Sequence, residues 1–376
     1  MKDGVDIFLA ETDTCPQNRY STSASALHTH FTATILEGVA GCKHWITRLA
    51  AFEPRSGEAY RRKLGKYAGF YKALSELVPS LEWQGCRIPL SGRAWEPTVP
   101  LSKFAYSSKQ NAWASCVLER LGLPMYYSSK DGGAVFLDGQ RDLQFEDSEI
   151  KKMLSGEVFL AAESARSLIK RGFGEYIGVS VTERDEADAH ASGEIIHATG
   201  EKTNAQMKLC KLTPTAAETV ARSTVYTLPD GKTTVPLFPG VTSYKNTLGG
   251  RAVVFSGTPE AKFVYTEAFS FLNESRKAQL TELLREGGNL PVYYPDDAEV
   301  YLKAARMADG RRFVAFFNIG LDNLDEVVLS CEEKVARVSV LSPDGVFRET
   351  DFTSEGERIT VGVPAPILEP VILILE

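Results

Sequence analysis

The sequence predicts an α/β fold followed by a β domain, and three patterns carry that reading. Short apolar runs alternate with helical periodicity twice over residues 5–78, and alternate again over about 110–181. After Leu290 the period switches to short strands separated by Asp-Gly turns. Strand–helix alternation is the repeating unit of parallel α/β folds. With 376 residues the chain has room for two to three domains. Its 43% hydrophobic and 24% charged residues exclude a disordered chain, a collagen and a coiled coil.

Val5–Ala10 reads as a buried strand, with Glu11 at its C-terminal end and a turn-rich segment behind it. A helix follows over Ser23–Glu37, where Leu27, Phe31, Ile35 and Leu36 keep helical spacing. Ser21–Ser23 offer N-caps and Gly38 a stop. Gly41–Leu49 reads as a second strand. Glu58–Val78 reads as a long helix with Tyr60, Leu64, Tyr67, Tyr71, Leu74 and Val78 on one face. Gly85–Pro100, with Pro89, Gly92, Pro97 and Pro100, reads as a linker.

The second alternation runs through helix Gln110–Leu121, strands Pro124–Tyr127 and Ala134–Asp138, helix Asp147–Leu154, strand Glu157–Ala162, helix Glu163–Arg171 and strand Tyr176–Val181. That is a doubly wound pattern, Rossmann-like or flavodoxin-like. Residues 185–250 are turn-rich and β-leaning, as an insertion would be. Arg251–Ser256 and Glu274–Arg285 add one more strand and helix. Six strands between Val300 and Leu375 then predict a small antiparallel β-sandwich.

The net charge of −7 offers nucleic acid no electrostatic support, and residues 286–376 alone hold 17 acidic against 8 basic residues. No apolar run reaches 18 residues, so no membrane span is expected, and the first residues lack a signal-peptide pattern. A cytoplasmic protein is the expectation. Six scattered cysteines without a C-x-x-C and five sparse histidines predict neither a disulfide framework nor a metal site. His28 and His30, two apart, fall on different helix faces. No phosphate loop, zinc-protease motif or nucleophile elbow is present, so no cofactor is expected. Gly172-Phe173-Gly174-Glu175-Tyr176-Ile177-Gly178 stands where a helix gives way to a strand, the reverse of a dinucleotide fingerprint.

Glu11 is the candidate catalytic residue, because parallel barrels place their chemistry at the C-terminal ends of strands. From position alone, the commoner role of such a glutamate is to cap the next turn. Trp45 and Arg48, near the end of the next strand, are candidate substrate-binding residues: an indole stacks on a sugar ring, and a guanidinium orients a carboxylate. Trp45 reads equally as a core aromatic. His44 reads as structural.

Phe8-Leu9-Ala10-Glu11-Thr12, the helix after it, and Gly38-Val39-Ala40-Gly41-Cys42-Lys43-His44-Trp45-Ile46-Thr47-Arg48 resemble the seventh and eighth strands of retaining glycosidase (β/α) barrels. Gly156-Glu157-Val158-Phe159-Leu160, Ala165, Leu168, Arg171-Gly172 and Gly178-Val179 are similar to the middle domain of family 42 β-galactosidases. The resemblance implies a C-terminal barrel part over 1–88, a flavodoxin-like domain related to class I glutamine amidotransferases over 100–287, and a β-sandwich over 288–376. It further implies a carbohydrate substrate, a homo-oligomer and Glu11 as nucleophile. Two strand–helix units cannot close a barrel. The acid/base partner would therefore lie outside this chain, since Glu37 and Glu53 stand at a helix end and in a loop. The amidotransferase nucleophile has no match in Cys116 or Cys210. A barrel cut short would also leave the apolar faces of helices Ser23–Glu37 and Glu58–Val78 partly uncovered. The alternative reading is a non-catalytic oligomerisation or carbohydrate-binding module.

Overall fold

The computed structural model describes residues 9–12, 21–39, 41–44, 55, 57–92, 112–182, 191–203, 209–257, 259 and 271–376. The chain forms two compact units, one made of residues 1–83 with 291–376 and the other of residues 84–290. Secondary structure is mixed α/β, as the sequence predicts.

The first unit opens with a strand–helix–strand crossover. Strand Leu9–Thr12 runs parallel to strand Gly41–His44, with Glu11 opposite Lys43, and helix Ala24–Leu36 joins them. The Ser23 hydroxyl caps this helix by accepting from the Ala26 N–H at 2.9 Å. The single helix expected over Glu58–Val78 is instead two helices, Glu58–Lys66 and Ala68–Leu77, broken at Tyr67.

Strands Val300–Arg306, Arg312–Asn318, Val371–Leu375, Val338–Leu341 and Phe347–Thr350 pair antiparallel in that order. A second antiparallel sheet holds Val292–Tyr293, Val327–Cys331, Arg358–Val361 and Phe352–Glu355. Leu302, Ala304, Val314, Phe316 and Leu373 fill the space toward the second sheet, with Leu329, Ile359 and Val361. The alternate residues Ala305, Phe313, Ala315, Phe317 and Ile372 face Ile35, Leu36, Phe70, Leu74 and Val78. This period-2 division gives each face of the strand its own partner. Of the helix faces expected to lie uncovered, Ile35, Leu36, Phe70, Leu74 and Val78 are buried on the C-terminal sheet, while Leu27 and Tyr60 bury each other between the helices.

The second unit is built on five parallel strands in the spatial order Leu121–Ser128, Cys86–Pro89, Ala134–Leu137, Glu157–Ala161 and Arg251–Phe255. Strands Val235–Lys245, Val220–Thr227, Gly193–Ile196 and Lys202–Thr203 extend it antiparallel, and come from the β-leaning segment. Cys86–Pro89 corrects the linker reading, for all four residues are buried inside the sheet. The connection from Ser128 to Ala134 crosses that strand in only five residues, without a helix. Gly133 makes this possible. Its φ is +63°, and a Cβ there would lie 2.6 Å from both the Gly85 carbonyl oxygen and the Tyr126 hydroxyl.

Both faces of the parallel sheet are covered, as parallel sheets require. Val135, Leu137, Val158, Leu160 and Val254 pack against Ile150, Leu154, Ala165 and Leu168 of the helices. On the other face Phe136 stacks on Phe159 with centroids 4.4 Å apart, and Trp113 meets Phe255 edge-on at 4.9 Å. Two buried arginines are paired: Arg276 lies over the Phe255 and Phe271 rings and binds Glu194, and Arg251 joins Glu157 to Glu286. Arg171 binds the carbonyls of Asp142 and Phe145 and the carboxylate of Asp147.

His28 is fully buried between the helices of the first unit. Its Nδ1 shares a 2.7 Å hydrogen bond with the Tyr71 hydroxyl, its ring lies 4.0 Å from that of Tyr67, and its Nε2 is buried without a hydrogen-bond partner. Burial lowers its pKa to about 4; Lys63 and Lys66 add to the shift, and Glu369 opposes it. The unfolded chain takes up this proton near pH 6.5, before the folded one does. The contribution is therefore complete above pH 6.5 and is lost as pH falls to about 4, to a limit of about 3 kcal/mol. Denaturant midpoints measured from pH 7 to 4 should fall less steeply for His28→Gln than for the parent chain. Gly133→Ala should lower stability by about 3 kcal/mol. Gly172→Ala should lower it by only about 1 kcal/mol, because the φ there is +94° but no atom lies within 4 Å of the added Cβ. Urea unfolding of the two variants checks the contrast.

Candidate functional site

Glu11 is the third residue of a four-residue parallel strand, one position from its C-terminal end. The crossover helix returns the chain so that Lys43, two residues before Trp45, lies beside it in register. Trp45 and Arg48 follow in the chain and lie outside the described residues, as does Glu53. The backbone therefore brings the Glu11 strand end and the end of the next strand side by side. This is the placement from which barrel enzymes project their chemistry.

Glu37 is described, and its surroundings remove it as a second acid. It forms the C-cap of helix Ala24–Leu36, and its carboxylate accepts from the Lys303 ammonium and, at 3.4 Å, from the Tyr301 hydroxyl. Lys303 is 1% exposed and stands 4.7 Å from the Trp83 ring centre. Withdrawing Glu37 to protonate a leaving group would leave a buried ammonium without its counter-ion, at a cost of several kcal/mol. Sequence reasoning could not find this pair, since 266 residues separate its members.

In the second unit the C-terminal end of strand Ala134–Leu137 carries structural chemistry. Asp138 follows strand Ala134–Leu137, and its carboxylate accepts from the backbone N–H groups of Ala112 and Trp113 and from Arg141 Nε at 3.0 Å. Burial pushes its pKa up, against the pull of Arg141 and the two amides. The Ser164 hydroxyl closes the same edge by donating to the Gly139 carbonyl at 2.9 Å. Asp138 thus anchors the helical segment at 112–118. Cys116, in that segment, is buried and its thiol is pushed up by burial, the opposite of an activated nucleophile. Gly172 ends a helical stretch just before strand Val179–Thr182 and forms no phosphate cradle. Among the described residues no cluster of three or more His, Cys, Asp or Glu could hold a metal ion. No helix there is long and apolar enough to cross a membrane.

No family model and no curated protein sequence matches this chain. Solved structures do. The fold is similar to that of α-L-fucosidase isoenzyme 2 from Paenibacillus thiaminolyticus, with a TM-score of 0.57 and 10% identity over 95% of this chain and 58% of that one. A rhamnosidase from Novosphingobium sp. PP1Y matches at a TM-score of 0.45 and 10% identity, over 98% of this chain and 31% of that one. The chain spans 58% of the length of the fucosidase, and the likeness is one of fold.

Proposed function

We propose that this chain is the C-terminal part of a retaining glycoside hydrolase of the family 42 type, acting on β-linked sugars with Glu11 as nucleophile. The observation that carries the reading is the parallel crossover that sets Glu11 at a strand end beside the strand leading to Trp45 and Arg48. The fold likeness to the Paenibacillus fucosidase over 95% of the chain supports it. The strand order of the second unit supports the flavodoxin-like assignment: numbered along the chain, its five parallel strands lie in the order 2-1-3-4-5.

A retaining mechanism needs two carboxyl groups about 5 Å apart, one attacking the anomeric carbon and the other protonating the leaving oxygen. Glu11 takes the first role. Trp45 would stack on the sugar ring and Arg48 would orient the nucleophile. The acid/base comes from further barrel strands, supplied by preceding polypeptide or a partner chain. A homo-oligomer held through the second unit belongs to the same reading.

Assays of the chain alone, and of the chain joined to or mixed with the polypeptide encoded before it, test the proposal on aryl β-galactoside and aryl α-fucoside in parallel. The completed enzyme should turn over the β-galactoside, and the chain alone should be slower by at least about 10²–10⁴-fold, the usual share of general acid catalysis. Glu11→Ala should abolish turnover, and added azide should restore it as a glycosyl azide of inverted configuration. Undiminished turnover in Glu11→Ala would remove Glu11 from the mechanism; turnover of the fucoside alone would replace the substrate.

A further inference from the structure

A cavity of about 310 Å³ opens at one end of the C-terminal sandwich. Arg312 and Leu375, register partners in the first sheet, line one side, and Cys331 ends the facing strand of the second sheet. Leu375, Val335 and Cys331 are less than a tenth exposed and form an apolar floor. Polar groups ring it. Arg311 binds Asp309 at 2.7 Å and Glu376 at 3.1 Å, Arg312 binds Glu333 at 2.6 Å, and Lys334 completes the rim. The Cys331 thiol is pushed up by burial, so it stays protonated and contributes packing.

The lining holds three cations (Arg311, Arg312, Lys334) and three carboxylates (Asp309, Glu333, Glu376). An ionic ligand of either sign would meet repulsion from half of this ring. Hydroxyl groups avoid that conflict, because each both donates and accepts: it can give a proton to a carboxylate oxygen and take one from a guanidinium. A molecule with several adjacent hydroxyls on one side and a C–H face on the other matches both ring and floor. The volume falls at the small end of ligand sites, which begin near about 300 Å³.

We propose that this cavity is a binding site for a neutral saccharide ring. The proposal stands on the chemistry of the cavity and not on the role of Glu11, and the two can fail separately.

The test is an amide-resolved NMR titration of the whole chain with D-galactose and L-fucose, beside D-glucuronate and inorganic phosphate. At least one neutral sugar should shift residues 309–312 and 331–335 saturably, with half-saturation on the order of 1 mM. Glu11→Gln should leave this binding unchanged. Arg311→Ala, a substitution at the exposed rim, should weaken it at least about tenfold with the thermal midpoint retained. Lys334→Ala provides a second rim variant if Arg311→Ala unfolds. Absence of saturable shifts, shifts confined to other residues, affinity unchanged in the rim variant, or tighter binding of glucuronate or phosphate than of either neutral sugar would each overturn the proposal.

Discussion

The strand Arg312–Asn318 is the element on which the first unit depends, because it is buried on both faces. Val314 and Phe316 point into the sandwich, while Phe313, Ala315 and Phe317 receive the helices. Burying one large apolar side chain is worth roughly 1.5–3 kcal/mol, so the three phenylalanines alone make a strong clamp between chain ends. The clamp reaches the candidate site through helix Ala24–Leu36. Ile35 and Leu36 rest on this sheet, and the same helix carries the chain from the Glu11 strand to its parallel neighbour. The C-terminal sheet thereby holds the crossover that positions Glu11.

The second unit solves a different problem. A parallel sheet has no face for water, so its strands must be apolar throughout and its few buried charges must be paired. Glu157 and Arg251, facing each other in register on adjacent strands, meet this demand, as do Glu194 and Arg276. Burial and pairing act in opposite directions on Glu157, with desolvation the larger. Such pairs are costly to break one member at a time, which ties helix Glu274–Glu286 to the sheet. The strand-end carboxylate of Asp138 is spent on anchoring the helical segment at 112–118.

The crossover places the backbone of Glu11 near a strand end, and the Glu37 carboxylate is committed to Lys303. The sandwich adds a polar cavity with balanced side-chain charges.

Local patterns in the sequence determined most of the elements. The helical spacing of Leu27 to Leu36 and the Pro-Asp-Gly turn at 343–345 each act within a few residues; of the apolar run before Glu11, Val5–Phe8 lie outside the described residues, and Leu9-Ala10 open a strand that runs on through Glu11 to Thr12. Cys86–Pro89 was not legible, because four residues that follow Gly85 and end in a proline show no period; that strand exists through parallel neighbours at Met125–Ser128 and Ala134–Val135. Nor was the break at Tyr67, where the apolar spacing continues unbroken across two helices. The cover over the helices and the Glu37–Lys303 pair were decided by the tertiary structure alone. They join residues more than 200 positions apart, and contacts at that separation leave no trace in local periodicity.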